Sequence, residues 1–286
     1  MPNQKPDRAK LYEMMDKGVA VKDRVFGENH YLRPQFIQPY RCKNVLIDGL
    51  TIINSPMWKI HPVLCENVTV QNLKINSHGP NNDGCDPESC KDVLIKNCIF
   101  DTGDDCIAIK SGRNNDGRRI NVPTENVVVQ GCTMKDGHGG ITIGSEISGG
   151  VRNVFGENCR LDSPNLDHAL RVKNNAMRGG LLENFYFRNI TVGQVAHAVI
   201  TIDFNYEEGA KGNFTPVMRN YQVENLTSGK SEYGVDIQGL SKAPIYDISI
   251  KNSSFDNVQK GNIAANIKGV KLDNFKINGK IAGKLT

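Results

Sequence analysis

One short pattern, Asn-Val-x-Ile-x-Asn-x-x-Ile, recurs nine times along 286 residues and leaves few folds open. It runs Asn44-Val-Leu-Ile-Asp-Gly, Asn67-Val-Thr-Val-Gln-Asn, Asp92-Val-Leu-Ile-Lys-Asn, Asn126-Val-Val-Val-Gln-Gly and Asn153-Val-Phe-Gly-Glu-Asn. It continues as Asn184-Phe-Tyr-Phe-Arg-Asn, Asn220-Tyr-Gln-Val-Glu-Asn, Asp247-Ile-Ser-Ile-Lys-Asn and Gly269-Val-Lys-Leu-Asp-Asn, with successive starts 22 to 36 residues apart. Alternation of Val, Ile and Phe with polar residues has the period of a strand, and the Asn, Asp and Gly between them are turn residues. A unit this small cannot bury its apolar face alone, so the units must stack. Leucine-rich repeats need a leucine ladder that is absent, and propeller blades need longer, more uniform units. The expectation is an all-β right-handed parallel β-helix with rungs about 4.8 Å apart. Asn at matching positions predicts side-chain amides bonded from rung to rung.

The repeat divides the chain into an N-terminal segment, 1–41, and a solenoid, 42–286. Asp7 to Lys17 reads as one short amphipathic helix, with Lys10 to Met15 its best stretch. The C-terminus runs out at Gly283-Lys-Leu-Thr286 on rung-like sequence. Of the eight cysteines, Cys98, Cys132 and Cys159 share one repeat position, which predicts stacked buried thiols rather than a disulfide framework. A formal charge of +4 suits a polyanion without specifying one. No apolar run of membrane-spanning length exists, and the first residues have no apolar core of a secretory signal. Neither a membrane nor a nucleic-acid partner is expected, and oligomeric state is not legible.

Three clusters follow strand-like runs in register: Asn81-Asn82-Asp83-Gly84, Gly103-Asp104-Asp105 and Gly137-His138-Gly139, with Arg171-Val172-Lys173 further on. Alone, each is an ordinary turn or a solvated strand face. Stacked, they converge. Asp83 and Asp104 are 21 positions apart, close to one rung. Three carboxylates so close must raise at least one pKa, giving a protonated acid beside ionised bases, as glycosidic hydrolysis requires. Arg171 and Lys173, two apart, share a strand face and suit a sugar carboxylate. Between Asp105 and His138 lies a glycine-bounded basic loop with Lys110, Arg113, Arg118 and Arg119, and Glu146 follows in Gly144-Ser-Glu-Ile-Ser-Gly-Gly.

Taken together these residues resemble glycoside hydrolase family 28, the polygalacturonases, over roughly residues 20–260. The family motifs Asn-Thr-Asp, Asp-Asp, Gly-His-Gly and Arg-Ile-Lys match Asn81-Asn82-Asp83, Asp104-Asp105, Gly137-His138-Gly139 and Arg171-Val172-Lys173, with Asn82 for Thr and Val172 for Ile. The resemblance implies a parallel β-helix that hydrolyses α-1,4-galacturonosyl linkages by single displacement with inversion, without metal or organic cofactor. Asp104 would be the general acid, Asp83 and Asp105 would activate water, and His138 would support the acid. Asn81, Lys110, Arg113, Glu146, Arg171, Lys173 and Tyr206 would bind the substrate, an acidic polysaccharide. The basic loop and the Glu146 stretch resemble bacterial exo-acting members, which implies release of terminal galacturonate. Further rungs upstream are expected of a full-length protein, whose substrate implies a periplasmic or secreted site. A cytoplasmic enzyme acting on imported oligogalacturonides is the other location to weigh. Rival readings are a pectate lyase-type β-elimination using calcium and a basic residue, against which His138 between glycines argues, and a solenoid that only binds polysaccharide.

Overall fold

The structure, a computed structural model, describes residues 3–285. It is the right-handed parallel β-helix that the repeat predicts. Each rung crosses three faces. The first carries Lys43–Asp48, Glu66–Gln71, Lys91–Lys96, Thr124–Gln130 and Val151–Glu157 in parallel register. The second carries Thr51–Ile53, Lys74–Ser77, Ile99–Thr102, Thr133–Met134 and Arg160–Leu161. From Leu181–Val192 onward, single long strands run across both faces. The third face is a separate six-stranded sheet: Ile107–Ile109, Ile141–Ile143, His168–Lys173, Ala198–Asp203, Tyr233–Gln238 and Asn262–Ala265. Parallel bridges extend it back through Cys85 and Ile60 to Ile37.

Both asparagines of the repeat turn out to have a backbone reason. The first position of every unit, from Asn44 to Gly269, has positive φ, and so does the sixth, from Gly49 to Asn274. The left-handed region costs most side chains dearly but admits Asn, Asp and Gly. Turning the chain from face to face therefore selects these residues twice per rung. Stacking then bonds them: Asn67 to Asn44 (2.7 Å), Asn126 to Asp92 (2.8 Å), Asn153 to Asn126 (3.0 Å), Asn184 to Asn153 (3.0 Å) and Asn220 to Asn184 (2.8 Å). A second ladder joins Asn225 to Asn189 and Asn274 to Asn252.

Alternation along the third face sets the core against the groove. Ile60, Cys85, Ile107, Ile141, Leu170, Ile200 and Val235 occupy one register column and are fully buried. One position later the residues Ala108, Thr142, Arg171, Thr201 and Asp236 form the outward column. All eight cysteines are free thiols, seven of them buried. A second sulfur column joins the expected one: the Cys42 and Cys65 amides donate to the sulfurs of Cys65 and Cys90, and the Cys90 amide donates to Thr124 Oγ1. No described helix is long and apolar enough to cross a membrane.

The ends differ in detail from expectation. Helix α1 spans Lys5–Asp16, starting two residues earlier than Asp7, because Pro6 suits a first helical turn. It is anchored from outside: Asp7 accepts from the Tyr31 amide and contacts His30, and Gln4 accepts from the Arg33 amide. At the other end the rung-like sequence folds back on itself. Lys280–Ile281 pairs antiparallel with Lys276–Ile277, and Leu285 is buried.

Candidate active site

The third face brings the acidic clusters together through its backbone ladder. Gly84 N–H donates to Asp105 O (3.0 Å) and Cys106 N–H to Gly139 O (2.7 Å), so Asp83, Asp105 and Gly139 lie on successive rungs. His138 N–H donates to Asp104 O at 3.0 Å, which sets the imidazole beside that carboxylate. Gly139 is required by closeness: a Cβ there would lie 2.3 Å from Thr142 Oγ1 and 2.8 Å from Asp105 Oδ1. Its missing side chain admits a carboxylate of the neighbouring rung, not only a ligand.

Asp83, Asp104 and Asp105 each contribute a carboxylate oxygen to a group within 4.8 Å of one another. Their surroundings separate them. Asp105 is fully buried, with Lys173 Nζ 2.5 Å from Oδ2, Arg171 Nη1 3.6 Å from Oδ1, and the Thr142 hydroxyl donating to Oδ1 at 3.1 Å. Burial drives the Asp83 carboxyl up to about 7, Lys110 opposing and the charges of Asp104 and Asp105 assisting. Burial also disfavours ionised Asp104, but the His138 hydrogen bond and the Lys173 charge outweigh it and hold Asp104 below the usual carboxylate range. His138 Nδ1 lies 3.1 Å from Asp104 Oδ1, and that bond raises the imidazole above its ordinary value. One raised carboxyl was expected from crowding. Which one was not legible: burial singles out Asp83, whereas the bond between Asp104 and His138 holds that carboxyl low and the half-exposed imidazole high.

A second cluster backs the first. Lys110 Nζ lies 3.1 Å from Glu146, 3.5 Å from Asp86 and 3.6 Å from Asp83, and 4.3 Å above the Trp58 ring. Arg113 reaches Glu146 at 3.2 Å and Glu207 at 3.6 Å, and stacks 4.6 Å from the Tyr12 ring of α1. Glu146 is held well below the carboxylate range, its burial outweighed by Lys110 and Arg113. These three side chains are thus occupied by one another behind the carboxylates. Tyr206 is brought to the site as expected, its ring 5.4 Å from Lys173 Nζ and 5.8 Å from the Arg171 guanidinium. Asn81 stands apart: its side-chain oxygen accepts from Arg33 at 2.7 Å on the turn beside α1.

Sequence reasoning passed over two buried groups. Lys59 Nζ donates to the Asn82 carbonyl (2.5 Å), to Asn82 Oδ1 (2.8 Å) and to the Asp83 carbonyl (3.3 Å), pinning the turn that carries Asp83. Burial lowers it to about 8, with Asp86 and Asp83 opposing. Asp86 is fully buried beneath Asp83. The available signal was its place three residues after Asp83, in the same outward column as Ala108, Thr142 and Arg171.

Comparison with known proteins agrees with this geometry. The model of Glycosyl hydrolases family 28 matches residues 24–277. The chain belongs to that family. A crystal structure of a hyperthermoactive exopolygalacturonase from Thermotoga maritima superposes with a TM-score of 0.92 at 46% identity, covering 100% of this chain and 64% of its own. A probable polygalacturonase of Vitis vinifera is 30% identical over 79% of this chain and 47% of its own length. An exo-poly-alpha-D-galacturonosidase of Dickeya chrysanthemi is 26% identical over 71% of this chain and 35% of its own. The chain thus spans about half the length, or less, of these curated relatives.

Proposed function

We propose that this chain carries the active site of a polygalacturonase that hydrolyses α-1,4-galacturonosyl linkages of an acidic polysaccharide from chain ends. The observation that carries the reading is the convergence of Asp83, Asp104 and Asp105 on one spot, with His138 bonded to Asp104 and with Arg171 and Lys173 beside Asp105. Asp104 protonates the glycosidic oxygen, and Asp83 and Asp105 activate the attacking water. The sugar carboxylate, drawn to Arg171 and Lys173, offsets the cations that keep Asp104 ionised. Asp104 then takes the proton that His138 holds 3.1 Å away and passes it on. The carboxylates are closer than the roughly 6.5–9.5 Å typical of inversion. Inversion therefore rests on family membership, and the anomer first formed tests it: an α linkage must yield β-galacturonate.

Chain-end action is supported by what fills one end of the groove. The first turn of α1 faces the turn of Pro80, Asn81 and Asn82 across a cavity, and its last turns face Gly112 and Gly117 across another, with Tyr12 under the Arg113 guanidinium at 4.6 Å. The basic loop forms a helix, α2 (Asn114–Ile120), tied to the N-terminal segment by Arg24, whose guanidinium reaches Asp116 at 2.5 and 3.1 Å. A polymer threading past Asp83 toward earlier rungs meets these helices. Such a polymer lies outside the cytoplasm, where we expect the full-length protein to act. The decisive experiment is product analysis on polygalacturonate with the native chain and Asp104→Asn. Galacturonate as the sole early product, lost in the variant, supports the reading. Rapid viscosity loss with few new reducing ends refutes chain-end action, and ultraviolet-absorbing products would mean β-elimination instead.

A further inference from the structure

Asp86 is the one carboxylate of the site region whose two oxygens are both buried without any hydrogen-bond partner. The contrast with its neighbours is sharp. Asp105 accepts from Lys173 and Thr142, Glu146 from Lys110 and Arg113, and Asp104 from its neighbour's amide while bonding His138. Lys110 Nζ stands 3.5 Å from Asp86, beyond good hydrogen-bond length, and is drawn more closely to Glu146. Lys59, the other nearby cation, spends its protons on Asn82 and the Asp83 carbonyl. An ionised carboxylate left so bare would be heavily penalised, whereas a protonated one brings its own donor. An acceptor lacking a donor is at hand: Asp83 Oδ1 is buried and unpartnered, and the two carboxyls flank the same Lys110 ammonium, at 3.6 and 3.5 Å. The two deficits complement each other. Burial and the adjoining Asp83 charge, against Lys110, favour a proton on Asp86 far above the usual range, Asp105 adding to the same side.

We propose that Asp86 is a positioning residue whose protonated carboxyl donates a hydrogen bond to Asp83 Oδ1 and fixes the Asp83 carboxylate toward the attacking water. This rests on the role proposed for Asp83. It gives a site with two proton stores of opposite purpose: His138 supplies the leaving group, and Asp86 keeps a proton that never leaves, so that Asp83 can act ionised.

The test compares Asp86→Asn with Asp86→Ala. Asparagine keeps the shape and an N–H donor, so kcat on polygalacturonate should stay within about threefold of native. Alanine removes a hydrogen bond to a charged group, so kcat should fall roughly 10- to 100-fold with KM little changed. An infrared difference spectrum of native minus Asp86→Asn at pH 8 should contain a protonated-carboxyl band, whatever the activity. An asparagine variant as impaired as alanine, an alanine variant with native kcat, or the absence of that band overturns the proposal. Loss of the hydrolytic reading is recognised separately, by a native chain that yields no galacturonate while the band is present.

Discussion

Lys110→Met removes the cation on which the second cluster depends, and its cost can be worked from the geometry. Lys110 is 2% exposed and faces Glu146, Asp86 and Asp83 within 3.6 Å. Methionine is close in length and fills the same volume over Trp58, so packing loss is small. What remains is a half-buried Glu146 served by Arg113 and a buried Asp83 left with the Lys173 charge and with Lys59 on its backbone carbonyl. Removing one partner of a buried ion pair typically costs about 3–5 kcal/mol, and part is recovered here because Arg113 persists and Asp83 can take up a proton. We therefore expect a loss of about 2–4 kcal/mol in urea denaturation at neutral pH. Protonation is the relief, so the share of the loss borne by Asp83 is full at alkaline pH and should fade as pH falls to about 7, below which Asp83 is neutral in both proteins. The same logic raises Asp83 further and moves the acid limb of kcat/KM to higher pH. A double variant with Glu146→Gln should cost less than the two singles together, because neither partner is then left alone. A Lys110→Met protein within 1 kcal/mol of native at pH 8, with an unmoved acid limb, would refute the coupling of this cation to the clustered carboxylates.

Other expectations follow from single contacts. The pH profile of kcat/KM should be bell-shaped, with an acid limb set by Asp83 near 7 rather than in the ordinary carboxylate range, and an alkaline limb above the ordinary histidine value, where His138 loses its proton; an acid limb near pH 4 would exclude Asp83 as an essential base. Arg24→Ala removes the tie between the N-terminal segment and α2, and should add internal cuts to chain-end release, read as a steeper viscosity loss per reducing end. Products unchanged, with α1 shown to be released by hydrogen exchange, would mean that the helices do not close the groove. The Tyr221 hydroxyl is buried in the core without a partner, so Tyr221→Phe should be neutral or stabilising by about 1 kcal/mol in the same denaturation assay; a loss of more than that would reveal an unrecognised bond.

Much of this molecule was written in its repeat. Alternating hydrophobic residues and recurring Asn, Asp and Gly specified strand, turn and stacking, because each is a local consequence of side-chain shape and backbone sterics. Asp83, Asp104, Asp105, His138, Arg171 and Lys173 could be assembled from sequence because rung spacing converts sequence separation into register. Lys59 and Asp86 were passed over because nothing local distinguishes a buried lysine or aspartate from a solvated one on an alternating strand. Their importance comes from what covers them. The same holds for Lys110, Arg113 and Glu146, whose charges are satisfied by one another at 3.1 and 3.2 Å, and for Asn81, whose amide is taken by Arg33. Protonation is the clearest case. Sequence established that crowded carboxylates must share too few favourable sites for charge. Only the tertiary structure decided that Asp83 and Asp86 are pushed up and His138 raised while Asp104 is held low, since burial, distance and hydrogen-bond partners all enter that balance and none is a property of the chain alone.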